Sequence, residues 1–214
     1  MELNGKKVYF LGDSITEGVG SHPEKRYTEV FAKSTGADVV NLGVSGTRIA
    51  RSNIENDPHG EYFKLRAEKI KDDADVIVIF GGTNDFGNGW APIGNFEDRT
   101  PDTYYGAWHD LLTFIISNHP TATVLVLTPM HRYNEDSLGG VGSQKDNAKF
   151  ETYVNIVREV AQYYSVPVLD MYRESGIQPA IPEIKQLYIP DGLHPNNAGS
   201  AKIARMIENK LKLM

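Results

Sequence analysis

Five apolar runs of strand length, at 7–11, 38–41, 75–80, 123–128 and 166–170, are separated by segments long enough to hold helices. Consecutive strands joined through helices enter a sheet in parallel, so this alternation predicts a parallel α/β fold. Val76-Ile77-Val78-Ile79-Phe80 and Val124-Leu125-Val126-Leu127 are apolar without alternation. Strands covered by helices on both faces read in that way, and these two are expected to be central. Helices are expected over 27–35, 58–71, 101–118, 147–164 and 195–212. In the third, Leu111, Leu112, Ile115 and Ile116 share one side, and in the fourth Tyr153, Ile156, Val157 and Val160 do the same. In the last, Pro195 suits a first helical position, where its missing N–H costs nothing. With right-handed crossovers the result is a three-layer α/β/α sandwich. The 214 residues suit one domain with a sizeable core, and no repeat, low-complexity run or linker divides them.

Charge and termini narrow the function. The 22 basic and 28 acidic residues leave a net charge of -6, with no Lys/Arg run that could track a nucleic acid. There is no cysteine, hence neither a disulfide framework nor a thiolate metal site. Residues 1–7 are short and polar ahead of the first core strand, and no apolar run approaches the roughly 18 residues of a membrane span. No signal peptide is expected, and a cytoplasmic location is the expectation.

Four short blocks carry the chemistry: Gly12-Asp13-Ser14-Ile15, Val44-Ser45-Gly46, Gly81-Gly82-Thr83-Asn84-Asp85 and Asp191-Gly192-Leu193-His194. Ser14 directly follows the first strand, where Gly12 permits a sharp turn that presents a hydroxyl at the sheet edge; it reads either as a nucleophile or as a polar turn serine. The Gly-x-Ser-x-Gly elbow of α/β-hydrolases is absent, since Thr16 stands at its last glycine. Asp191 and His194 lie three apart on a glycine-containing turn. There a carboxylate can orient one imidazole nitrogen and free the other to take a proton from Ser14; a surface loop with a helix-capping histidine is the alternative. Asn84 ends a buried strand, where its amide can donate to a developing oxyanion or merely to its own turn. Gly46 lets a backbone N–H approach a substrate closely, or simply makes a turn. Asp85 is assigned no chemistry, and His22, His59, His109, His119 and His131 have no comparable local partner.

Taken together and in this order, the blocks resemble those of the SGNH hydrolases, the GDSL-type esterases and lipases, and the resemblance runs from Val8 to the last helix. The first block reads Gly-Asp-Ser-Ile where the family name has leucine, a conservative apolar change. The resemblance implies Ser14 as nucleophile, His194 as base and Asp191 as its orienter. It also implies that Gly46, Asn84 and the Ser14 backbone N–H form the oxyanion hole. It further implies a flavodoxin-like sandwich with a five-stranded parallel sheet in the order 2-1-3-4-5, an acyl-enzyme cycle, and no requirement for a metal or cofactor.

The substrate is less marked. The stretches 86–100 and 129–146 follow the carboxyl ends of strands, where ligands of open α/β sheets bind. Phe86, Trp90 and Phe96 in the first, and His131, Arg132, Tyr133, Asn134 and Glu135 in the second, combine aromatics with hydrogen-bonding groups. Phe86, Trp90 and Tyr133 are accordingly candidate substrate walls, unless they only pack the loops. A small-molecule or carbohydrate ester is the expected partner, acted on by a short-acyl esterase such as an O-deacetylase. The alternatives are a catalytically silent carbohydrate- or small-molecule-binding protein on this fold, and a flavin- or nucleotide-binding domain. The last is disfavoured by two carboxylates, Asp13 and Glu17, in the loop that would have to cradle phosphate.

Overall fold

The computed structural model describes residues 1–137 and 148–214. Five strands form one parallel sheet: β1 (Lys7–Gly12), β2 (Asp38–Gly43), β3 (Val76–Phe80), β4 (Thr123–Leu127) and β5 (Val168–Leu169), in the order β2-β1-β3-β4-β5. Between and after them lie α1 (Ser14–Glu17), a 3₁₀ turn (Pro23–Lys25), α2 (Tyr27–Thr35), α3 (Phe63–Ala67), α4 (Thr83–Asn88), α5 (Tyr104–Asn118), α6 (Phe150–Tyr163), α7 (Met171–Glu174), α8 (Pro182–Tyr188) and α9 (Asn197–Lys212).

The unbroken apolar strands are explained by two cores, one on each face of the sheet. Tyr9, Leu11, Ile77, Ile79, Val124 and Val126 point to one face, against Phe63 of α3, Leu111 and Ile115 of α5 and Tyr153 and Val157 of α6. Their neighbours Val8, Phe10, Val76, Val78, Leu125 and Leu127 point to the other, against Phe31 of α2 and Ile203, Ile207 and Leu211 of α9. Every side chain of β3 is at most 2% exposed. Each such burial contributes about 1.5–3 kcal/mol relative to exposure, which makes alternation in β3 unaffordable.

The chain leaves β1 through α2 on one face to reach β2, then crosses to β3 through α3 on the other. The order therefore reverses between β1 and β3, and a crevice opens at their carboxyl ends. Ser14 follows β1, Gly46 follows β2 and Asn84 follows β3, so all three arrive at that crevice.

Several boundaries differ from expectation. The expected helix over 58–71 shrinks to α3, because Arg48 forms a buried ion pair with Asp57 and the Asn53 N–H bonds the Trp90 carbonyl, which holds residues 51–62 as a loop. The expected Pro195 helix start moves to Asn197: the Asn196 side chain accepts the N–H groups of Ala198 and Gly199 and caps the helix instead. The edge strand β5 keeps two residues of the five expected. The start of the fourth expected helix at Asn147, and residues 138–146 of the long stretch after β4, lie outside the described residues. Among the described residues no helix is long and apolar enough to cross a membrane.

Candidate active site

Ser14 is the first residue of α1. The Asp13 side chain caps that helix through Oδ1, which accepts the Ile15 N–H at 3.0 Å. As a first-turn amide, the Ser14 N–H has no acceptor within its own helix and stays available to an incoming group. Gly12 is needed for space rather than for an unusual backbone angle: a Cβ there would overlap the Thr16 side chain, which is held by Tyr27 through a 2.8 Å hydroxyl contact.

The 191–194 turn is organised by one carboxylate. Asp191 Oδ1 accepts the N–H groups of Leu193 at 2.8 Å and His194 at 2.7 Å, while Oδ2 lies 2.7 Å from His194 Nδ1. His194 Nε2 in turn lies 3.0 Å from Ser14 Oγ. Burial acts to raise the Asp191 carboxyl, but the two N–H groups and the imidazole outweigh it and hold it below the usual carboxylate value. An ionised Asp191 fixes the tautomer with the proton on Nδ1 and leaves Nε2 as the acceptor facing Ser14. Gly192 adopts φ +80°, and its carbonyl accepts the Tyr133 N–H at 2.8 Å, tying the turn to the loop after β4.

Gly46 adopts φ +75°, a left-handed angle that favours glycine. Asn84 Nδ2 donates to the Thr47 carbonyl at 2.9 Å. One amide proton is thereby spent on holding the Gly46 turn, and the second is left to point elsewhere.

Three supporting residues carry no sequence signal of this role. Glu17 Oε2 accepts both the N–H and the hydroxyl of Ser45, the N–H at 2.6 Å. Asp85 accepts the N–H groups of Ile49 at 3.0 Å and Ala50 at 2.9 Å, a structural task rather than a chemical one. The buried Arg66 guanidinium donates to the carbonyls of Gly12 and Leu42 and to Thr47 Oγ1, joining the ends of β1 and β2 to the Gly46 turn.

Burial pushes the Asp13 and Asp85 carboxyls up to about 6. Such a group stabilises the fold relative to its ionised form below the unfolded carboxylate value, and that contribution is lost as pH rises through about 6. Asp13 Oδ2 is buried with no hydrogen-bond partner among the described residues. Asp13→Asn keeps an oxygen for the Ile15 cap and carries no charge. The variant is therefore expected to gain about 2–3 kcal/mol relative to wild type on going from pH 4 to pH 8. Urea unfolding at both pH values checks this, and an unchanged difference would show that Asp13 is not the source of the penalty.

The substrate-wall candidates separate. Phe86 is 1% exposed and packs between the rings of Phe150 and Tyr153, so it belongs to the core and presents nothing to a ligand. Its inward turn follows from α4 starting at Thr83. Trp90 is half-buried, with the Arg48 guanidinium 4.6 Å above its ring centre. Tyr133 is 43% exposed beside Gly192, at the rim of the His194 turn. Phe96 packs edge-on against Tyr105, His109 and Tyr163, on α5 and α6. His131 does have a local partner, contrary to expectation: Nδ1 lies 2.8 Å from Glu135, and the ring stacks on Tyr172 at 3.8 Å.

The model of the GDSL-like lipase/acylhydrolase family matches residues 10–202, and the chain belongs to that family, within the SGNH hydrolases. It is a carboxylic ester hydrolase. A solved protein from Lactobacillus plantarum shares 32% identity, with 98% of each chain covered and a TM-score of 0.83. The same fold recurs in a lipase/acylhydrolase from Enterococcus faecalis (20% identity, 97% of this chain and 95% of that one, TM-score 0.63). It recurs again in a carbohydrate acetylesterase family member from Sinorhizobium meliloti (20% identity, 97% and 98%, TM-score 0.66). Among curated proteins none matches the chain.

Proposed function

We propose that the protein hydrolyses short-acyl esters, an O-acetylated carbohydrate being the favoured class, through a Ser14–His194–Asp191 triad and an acyl-enzyme. The observation that carries the reading is the continuous chain from Ser14 Oγ through His194 to Asp191, with contacts of 3.0 and 2.7 Å. A silent binding protein would have no need of a serine hydroxyl bonded to an oriented imidazole.

The cycle follows from the positions. His194 Nε2 takes the hydroxyl proton as Ser14 Oγ bonds the ester carbonyl carbon, and the carbonyl electron pair moves onto oxygen. The Ser14 and Gly46 N–H groups and the second amide proton of Asn84 stabilise that charge. The imidazolium, stabilised by Asp191, gives its proton to the departing alcohol oxygen as the carbon–oxygen bond breaks. Water then repeats the attack, with His194 as base, and the acid leaves.

Support for a polar, short-acyl substrate is local. Tyr133 puts a hydrogen-bonding aromatic at the rim of the His194 turn, whereas Phe86, the most apolar candidate, is withdrawn into the core. The acetylesterase name of the S. meliloti neighbour fits the same class. Turnover of p-nitrophenyl acetate is expected to exceed that of esters with eight or more acyl carbons; the reverse order would overturn the substrate assignment. Asn84→Ala is expected to lower kcat by about 10²–10³-fold with little change in KM, the loss expected for one oxyanion donor. A folded variant with wild-type kcat would remove Asn84 from that role.

A further inference from the structure

His59 lies in an exposed stretch of loop, yet its ring is placed against the Gly46 turn. A Cβ built on Gly46 would lie 2.6 Å from His59 Nδ1 and 2.7 Å from both Cε1 and Cγ. Three ring atoms at nearly one distance mean that the imidazole presents its face to the Gly46 α-carbon, in van der Waals contact.

The placement is built rather than incidental. The His59 N–H donates to Asp57 Oδ1 at 2.9 Å, and the other oxygen of Asp57 pairs with the Arg48 guanidinium. Those two side chains are 3% and 1% exposed, although residues 53–56 and 58–60 around Asp57 are exposed. Arg48 stands two residues after Gly46 and is sandwiched onto Trp90, whose carbonyl accepts the Asn53 N–H at 3.1 Å. The chain from Arg48 to His59 thus closes on itself through a desolvated ion pair and returns the imidazole to Gly46, two residues before its own starting point. A buried ion pair is weak evidence of stabilisation, because desolvation offsets much of the attraction, but breaking one partner is costly and its geometry is narrow.

We propose that His59 is a positioning residue: its ring face clamps the Gly46 peptide and keeps that N–H aimed at the ester oxygen. The proposal rests on the reading of Gly46 as an oxyanion donor. Glycine at φ +75° has the widest conformational freedom of any residue, so a donor on it has to be held from outside. Glu17 holds the Ser45 side of the turn and Asn84 the Thr47 side, while the His59 ring lies against Gly46 itself. Oxyanion stabilisation depends on donors that need no reorganisation at the moment of reaction, so loosening the clamp acts on kcat and leaves ground-state binding nearly intact.

The test is a set of ring-deletion and ring-retention variants assayed with p-nitrophenyl acetate beside Asn84→Ala and Ser14→Ala. His59→Ala and His59→Gln are expected to lower kcat by about 10-fold with KM within about twofold of wild type. His59→Phe, which keeps a flat face and carries no titratable proton, is expected to restore most of the loss with the wild-type pH profile. Because His59 is exposed, thermal unfolding is expected to change little in all three. Wild-type kcat in both ring-deletion variants, while Asn84→Ala falls, would overturn the clamp and leave the triad reading standing. Failure of His59→Phe to restore kcat would overturn it too, by showing that imidazole chemistry rather than the ring face matters. Activity indifferent to Ser14 and Asn84 alike would instead overturn the reading on which the clamp depends.

Discussion

Ser14→Ala is expected to abolish ester hydrolysis, lowering kcat by about 10⁶-fold, the scale of losing the nucleophile of a preorganised triad. In the proposed cycle the hydroxyl oxygen bonds the acyl group, and its removal would leave only oxyanion donors and substrate positioning to help a water molecule attack. His194→Ala is expected to cost nearly as much, and the double variant hardly more than either single one, because the two groups act in one proton transfer. That non-additivity separates a working triad from two independent contributions. Ser14 is 6% exposed and, among the described residues, its side chain hydrogen-bonds His194 alone, so the substitution costs on the order of 1 kcal/mol of stability and the protein stays folded. Initial rates with p-nitrophenyl acetate and a thermal melt of each variant decide the matter. Residual activity within tenfold of wild type in a folded Ser14→Ala protein would exclude an acyl-enzyme on this serine.

The sheet was legible because burial on both faces leaves an unmistakable mark: Val76 to Phe80 has no polar position, and both parities find a core. Its order was not legible in any pattern of residues and came from the resemblance carried by the four blocks. Short helices such as α1, α4, α7 and α8 escape because four to seven residues are too few to show a period. The overlong expectation at 58–71 failed for a different reason: the Asp57 carbonyl accepts the Gly60 N–H and the Asp57 side chain accepts the His59 N–H, a tight turn that keeps the chain out of a helix until Phe63. In the site, Asp191 and His194 were readable because three residues of separation and one glycine suffice to bring them together. Arg66 was not, because two of its three acceptors are backbone carbonyls, which every residue possesses, and they lie 24 and 54 residues away. Phe86 was misread because an aromatic in an apparent loop was in fact on the first turns of α4, with its ring directed into the core.

Asp191→Asn is the sharper test of how that turn works, and is expected to lower kcat by about 10⁴-fold while leaving KM near wild type. The amide oxygen can still accept from the Leu193 and His194 N–H groups, so the turn keeps its shape. What changes is the atom facing His194 Nδ1. An amide nitrogen there donates where the carboxylate accepted, which favours the tautomer with Nδ1 bare and the proton on Nε2. In that tautomer Nε2 cannot take the Ser14 proton, and the imidazolium formed during attack loses its ionic partner. The Asp191 side chain is 54% exposed, so solvent screens its charge and the tautomer is the larger part of the effect. Asp191→Ala, which imposes no tautomer but frees the turn, is expected to retain more activity than Asp191→Asn. It is also expected to unfold at a lower temperature, because two backbone N–H groups lose their acceptor. Equal kcat values in the two variants would show that charge or turn geometry, and not the tautomer, is what Asp191 supplies.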